Sequence, residues 1–209
     1  MIGAPVILVA GTFALDPEAL EGLLRDRQFD HLPWWHPASP FGRASVAHGT
    51  IVVAEPFIWS TALDGVIGFN TGWYSAGAAL RYFARYVTPR TPISLIVHSH
   101  AGQIAAYAAA QGLEIDVLVT LGTPVRCDMQ PTRRAARPRI RRWVHVYSPN
   151  DPVQLEGEQL DGGGIFSWPR QMPEADENVE EPTEEPDAHG KLHDPALWTA
   201  RGWWRWLTE

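Results

Sequence analysis

Residues 93–103, ISLIVHSHAGQ, place an apolar run directly before a segment rich in alanine, with Ser99 between the two. A short, continuous apolar run is typical of a strand buried on both faces of a parallel sheet. The alanine-rich stretch that follows, residues 101–111, has high helix propensity. We therefore predict a sharp turn from a strand into a helix, with Ser99 at the turn.

Runs of the same kind recur along the chain. They predict four further strands, at residues 6–10, 50–54, 115–121 and 143–147. Helical periodicity is found at residues 16–27, 73–87 and 101–111, and a last helix is expected from Asp194, with Pro195 at its first position, through the tryptophan-rich C-terminus. The alternation predicts an α/β fold with a mainly parallel sheet of about five strands flanked by helices.

The length of 209 residues indicates a single domain, residues 1–209, and the hydrophobic content of 45% with ten Trp provides a substantial core. Two segments are less regular. Residues 31–49, rich in Pro and aromatics, are predicted to form a loop-rich pocket wall. Residues 154–187 are predicted to form a mobile acidic excursion that controls access to the site, with the basic stretch 133–142 as its docking partner.

Several classes of function are disfavoured. The net charge of -7 argues against a general nucleic-acid binder, and no apolar run reaches the roughly 18 to 20 residues of a membrane span. The apolar residues 1–10 lack the basic region and cleavage site of an export signal, and the lone Cys127 cannot form an intrachain disulfide, so a cytoplasmic location is expected. No spacing indicates a metal site, and no cofactor is expected.

Ser99 occupies the position of a nucleophile in a strand–turn–helix elbow. Such an elbow holds the serine in a strained backbone conformation and requires small residues two positions away. Ala101 meets this requirement approximately, whereas Val97 departs from it. The alternative is a serine that caps the helix beginning near His100.

Together with its neighbours, this elbow resembles that of the α/β-hydrolase superfamily, in particular its lipase- and esterase-like members. Residues 9–14, VAGTFA, resemble the His-Gly-x loop of the family, with Ala10 in place of His. The resemblance implies an oxyanion hole formed by the backbone N–H of Thr12, with Phe13 as the alternative, and that of His100. Taken alone, residues 11–12 also fit an ordinary turn at the end of a strand.

The resemblance extends to an acid and a base. Residues 144–153, VHVYSPNDPV, resemble the acid turn of the family, which implies Asp151 as the acid, although an Asn-Asp-Pro turn fits as well and Asp128 is the alternative. The family order of serine, acid and histidine places the base last. His189 fits the loop before the final helix, and His193 is the alternative.

These residues imply a serine hydrolase that cleaves carboxylic esters, small or polymeric, through a Ser-His-Asp triad and an acyl-enzyme. An amidase, acyltransferase or lyase uses the same scaffold, and so does a non-catalytic binding module. Five aromatic residues are candidates for the substrate pocket, each equally well placed in the core: Phe13, Trp34, Trp35, Phe57 and Trp59. Nothing in the sequence indicates an oligomeric state.

Overall fold

Five parallel strands form a sheet in the order in which they occur along the chain. They are β1 (Val6–Val9), β2 (Ile93–His98), β3 (Ile115–Leu121), β4 (Ile140–Tyr147) and β5 (Glu177–Glu180). This computed structural model describes residues 4–11, 17–57, 59, 71–88, 92–159, 170–183 and 187–209. The parallel sheet confirms the predicted α/β class.

Within those residues, seven α-helices surround the sheet. They are α1 (Pro17–Arg25), α2 (Pro40–Ala47), α3 (Thr71–Val87), α4 (Ala101–Ala110), α5 (Gln130–Ala136), α6 (Pro152–Gln159) and α7 (Pro195–Arg201). Successive side chains of a strand point to opposite faces, so each strand contributes to two cores. Ile7 and Val9 pack with α3 and α4, whereas Val6 and Leu8 pack with α2 and the C-terminal tryptophans.

The strand predicted at residues 50–54 is not a strand of this sheet. Val6 N–H donates to Ile51 O, and Val53 N–H donates to Val6 O, which gives only an isolated parallel bridge between Val6 and Val52. The chain bends at residues 54 and 55, so no continuous ladder forms, and the next contact with β1 is a second isolated bridge, between Val9 and Phe57. The prediction is wrong because an apolar run does not reveal whether neighbouring residues allow continuous pairing.

The fifth strand comes instead from the acidic segment. Residues 177–180 pair with β4, and Asn178 forms two hydrogen bonds with the backbone of Met172. Regular structure therefore occurs within the predicted mobile excursion, in residues 154–159 of α6 and in β5 at 177–180, while 160–169 and 184–186 lie outside the described residues. The basic stretch supplies the cations expected of it. Its ion pairs with the acidic segment are Arg133–Glu174, Arg137–Asp176 and Arg142–Glu177, the first with both side chains buried.

A buried histidine fixes the start of this segment. His145, fully buried in β4, places Nδ1 2.9 Å from Thr120 Oγ1 and Nε2 3.0 Å from the carbonyl oxygen of Arg170. The carbonyl can only accept, so Nε2 carries the proton of a neutral ring. Burial is the main cause that lowers the pKa of His145 from 6.5 to about 4.

The free energy of unfolding is expected to fall as the pH decreases from 6.5 to 4, because in this window the unfolded chain binds a proton that folded His145 does not. The loss attributable to this residue is about 3 kcal/mol. Urea unfolding at pH 7.5, 6, 5 and 4 measures it. His145→Gln removes the titration and keeps a donor and an acceptor, so its stability should depend less on pH. Parallel curves for the two proteins would contradict this role.

The remaining predicted segments also differ in detail. Residues 31–49 contain α2, so the predicted pocket wall is not a loop throughout. The helix is capped by the Ser39 hydroxyl, which accepts the Gly42 N–H.

The last helix ends at Gly202, which has φ +66, and a 3₁₀ turn follows at Trp203–Leu207. With that change of direction all four C-terminal tryptophans are buried: Trp198, Trp203, Trp204 and Trp206. The prediction that some of them remain exposed is therefore wrong.

No helix in the described ranges combines the length and apolar character that crossing a membrane requires. The cytoplasmic location stays a prediction.

Candidate active site

The candidate catalytic residues follow the carboxyl ends of neighbouring strands. Ser99 follows β2 directly, Asp151 lies four residues beyond the end of β4 at Tyr147, and the chain beyond β5 leads to His189. The carboxyl ends of parallel strands meet at one edge of a sheet, which is where open α/β folds bind ligands. The topology therefore brings together residues that are far apart in sequence.

Ser99 has the strained backbone conformation that the predicted elbow requires. Its φ is +57, in the left-handed region that costs an L-residue roughly 1–2 kcal/mol. Three hydrogen bonds hold it there: Ser99 N–H donates to Leu121 O (2.8 Å), while Ser99 O accepts from Thr123 Oγ1 (2.9 Å) and Gly102 N–H (3.1 Å). A capping serine normally has extended backbone geometry, and α4 shows no side-chain cap.

Two glycines, neither of them two positions from Ser99, make close approaches at this turn. Val97 is fully buried and packs in the core. The close approaches occur at Gly102, where a Cβ would lie 2.3 Å from Thr123 Oγ1, and at Gly11, where it would lie 2.8 Å from the Ser99 Cβ. The end of β1 and the turn after β3 therefore pack directly against the elbow.

Gly102→Ala is expected to displace the start of α4, because the added methyl overlaps Thr123. Overpacking of this kind costs about 1–3 kcal/mol, and displacement of Ser99 should lower turnover about 100-fold. Gly72→Ala is the matched control, since a Cβ at this helical glycine meets no heavy atom within 4 Å. Thermal unfolding and ester hydrolysis are the two measurements. Equal effects of the two substitutions would contradict the tight contact.

Asp151 and His189 form a hydrogen-bonded pair. His189 Nδ1 lies 2.6 Å from Asp151 Oδ2, and the Asp151 side chain is fully buried. The other carboxylate oxygen, Oδ1, accepts the backbone N–H of Gln154 at 3.0 Å, in the manner of a helix cap for α6. Asp151 thus lies at a helix N-terminus, where the dipole favours negative charge.

Gly122, between β3 and Thr123, makes room for this pair. It has φ +55, and a Cβ there would lie 3.0 Å from Asp151 Oδ2 and 3.1 Å from His189 Nδ1. The same turn therefore contacts the elbow through Thr123 and the acid–base pair through Gly122.

The alternative residues have other partners. Asp128 forms a two-pronged ion pair with Arg126, at 2.6 and 3.0 Å. The ring of His193 stacks on Trp34, with centroids 5.0 Å apart and planes at 11°. The structure thus brings Asp151 to His189, Asp128 to Arg126, and His193 to an aromatic wall.

Three histidines near the site are neutral at neutral pH. The pKa of His98 lies well below 6.5, and the pKa values of His100 and His193 are lowered to about 4. In each case burial is the main cause. The charge of Arg126 lowers the pKa of His100 further. These three rings therefore carry no positive charge at neutral pH.

The candidate pocket residues separate into two groups. Trp34 is half-buried and lies 6.0 Å from the His98 ring, at the site. Trp35 and Phe57 are 3% and 6% exposed and belong to the core, which was the alternative to a place in the pocket. Trp59 is partly buried and donates its Nε1–H to Ala10 O at 2.7 Å, so it supports the end of β1.

The oxyanion hole stays a prediction. Thr12 and Phe13 lie outside the described residues, so neither the N–H of Thr12 nor the pocket role of Phe13 is described. His100 follows Ser99, and its ring stacks on Trp73 with centroids 5.4 Å apart.

The sequence matches no protein-family model and no curated protein. Solved structures do match. A protein from Xanthomonas campestris pv. campestris assigned to the alpha/beta superfamily of hydrolases is 16% identical, with 96% of this chain and 98% of that chain covered and a TM-score of 0.53. A truncated carbohydrate esterase from gut microbiota is 11% identical over 99% and 87%, with a TM-score of 0.53. The esterase of Pyrococcus furiosus is 13% identical over 98% and 81%, with a TM-score of 0.51.

The strand order and these matches define the class of structure: the chain has the α/β-hydrolase fold. At such low identity the likeness concerns the fold alone, and the chemistry has to be argued from the site.

Proposed function

We propose that this protein is a serine hydrolase that cleaves carboxylic esters, with Ser99 as nucleophile, His189 as general base and Asp151 as the acid that orients the base. The observation that carries the proposal is the 2.6 Å hydrogen bond between His189 Nδ1 and the fully buried Asp151 carboxylate. The left-handed conformation of Ser99, at the same edge of the sheet, provides the nucleophile with its strained turn.

The pair sets the tautomer of His189. The Asp151 carboxylate accepts the Nδ1–H, so Nε2 keeps a lone pair that can take the Ser99 Oγ proton. Oγ then attacks the acyl carbon, and the alcohol leaves with the proton now held on Nε2. Water attacks the acyl-enzyme, gives its proton to Nε2 and releases the acid, and the proton returns to Ser99.

The ester bond is favoured over other acyl bonds by two similar structures, which are named an esterase and a carbohydrate esterase. Trp34, half-buried beside His98 and His193, offers an aromatic wall to an apolar or aromatic group of the substrate.

Incubation with a fluorophosphonate, followed by peptide mass mapping, tests the nucleophile. Label on Ser99 in the folded protein and none after heat denaturation is the expected result. Hydrolysis of a series of p-nitrophenyl esters of increasing chain length then tests the reaction and the size of the pocket. Folded protein with unlabelled Ser99 and no ester hydrolysis would favour a non-catalytic binding module on this fold.

A further inference from the structure

The imidazole of His98 points at the loop that carries the proposed base, although His98 immediately precedes Ser99 in the sequence. Its Nε2 lies 3.0 Å from the backbone carbonyl oxygen of His189, and the two ring centroids are 4.2 Å apart. The bond spans 91 residues of sequence and joins the end of β2 to the base loop.

The chemistry of the acceptor fixes the direction of this bond. A carbonyl oxygen only accepts, so His98 Nε2 carries a proton and donates it. The pKa of His98 lies well below 6.5, chiefly because of burial, so the ring is neutral at neutral pH and Nδ1 keeps its lone pair. Nδ1 lies on the side of Gly11, 3.5 Å from where a Cβ on that glycine would be.

Packing holds the ring in this orientation. His98 is 8% exposed, with the His193 ring 5.0 Å away at 84° and the Trp34 ring 6.0 Å away at 78°. His193 and Trp34 in turn stack on each other. The rings of His189, His193 and Trp34 thus surround the His98 ring, whose N–H donates to a main-chain carbonyl. His98 is therefore a fixed attachment point.

We propose that His98 is a positioning residue that fixes the backbone from which the His189 imidazole extends. This inference rests on the proposed function. The bond from Nδ1 to Asp151 leaves the His189 ring able to swing about that contact, since one hydrogen bond constrains one edge. A second attachment, at the His189 carbonyl, fixes the main chain from which the ring extends and so restricts this swing. His98 acts through His189 and has no part in proton transfer.

Two substitutions of equal length test the donor. The end atoms of Met and Gln, like His Nε2, lie three bonds beyond Cβ, but only Gln offers an N–H. His98→Met is expected to lower kcat for p-nitrophenyl acetate about 100-fold, because a misplaced catalytic group costs about this much. KM should stay the same, since the bond is internal to the protein. His98→Gln should recover most of kcat.

Two results would overturn the positioning role, provided that the wild-type enzyme is active. One is a kcat of His98→Met equal to that of wild type, and the other is the same reduction of kcat in the Met and Gln variants. If His98→Met does not fold by circular dichroism, His98→Asn replaces it: its amide is one bond too short to reach the carbonyl, so a kcat equal to that of His98→Gln overturns the proposal. A wild-type protein that neither hydrolyses esters nor accepts the fluorophosphonate overturns the proposed function itself.

Discussion

Ser99→Ala is expected to lower the turnover of a p-nitrophenyl ester by about 10⁶-fold, the loss seen when a serine triad is deprived of its nucleophile. The expected loss is this large because no other described oxygen nucleophile has the left-handed backbone of the elbow; Arg27 is the only other non-glycine residue described with positive φ. The fold should persist, since the change removes one oxygen from a side chain that keeps its Cβ. Steady-state kinetics and circular dichroism measure the two effects.

Ser94→Ala is the matched control for this substitution. Ser94 lies in β2, the strand that ends just before Ser99; it is 1% exposed, and its hydroxyl has no hydrogen-bond partner among the described residues. Removing a buried hydroxyl without a partner should change stability little and turnover not at all. If Ser99→Ala kept more than a few per cent of wild-type activity, another residue would have to be the nucleophile.

The parts of the fold that the sequence predicts are those encoded by local pattern. Residues 93–98 and 115–121 are predominantly apolar and form β2 and β3, with every residue of β2 buried. The alternation of these runs with helical periodicity is sufficient to identify the parallel α/β class.

The strand β5 could not be predicted in this way. Its sequence, ENVE, contains one apolar residue, and its order depends on contacts with β4 and on cations 35 to 41 residues away in sequence. Composition alone treats those carboxylates as solvated charges. The partners become visible only when the fold brings the basic stretch alongside.

The candidate site follows the same division. Ser99, Asp151 and His189 each occupy a position defined by a short motif and by chain order, so local sequence reveals them as candidates. The contact of Gly102 with Thr123 and the bond from His98 to His189 join separate segments, so no motif encodes them. The aromatic residues show the limit plainly: Trp34 and Trp35 are adjacent in sequence, yet only Trp34 lies against the site.

The environment of Asp151 determines what an amide would do in its place. Asp151 Oδ1 accepts the Gln154 N–H, which can only donate, and Oδ2 faces His189 Nδ1. An amide at this position must therefore turn its oxygen toward Gln154 and its NH₂ toward His189. The imidazole would then accept at Nδ1 and carry its proton on Nε2, the atom that has to receive the Ser99 proton.

Asp151→Asn is accordingly expected to lower turnover by about 10⁴-fold, the effect of the wrong histidine tautomer in serine proteases, while the protein remains folded. The control is Asp128→Asn, which weakens the ion pair with Arg126 and leaves His189 untouched, so it should change stability and not turnover. Both variants are compared with wild type by kcat on the same p-nitrophenyl ester and by urea unfolding. A larger loss of turnover in Asp128→Asn than in Asp151→Asn would transfer the acid role to Asp128, and full activity in both would remove the acid from the mechanism.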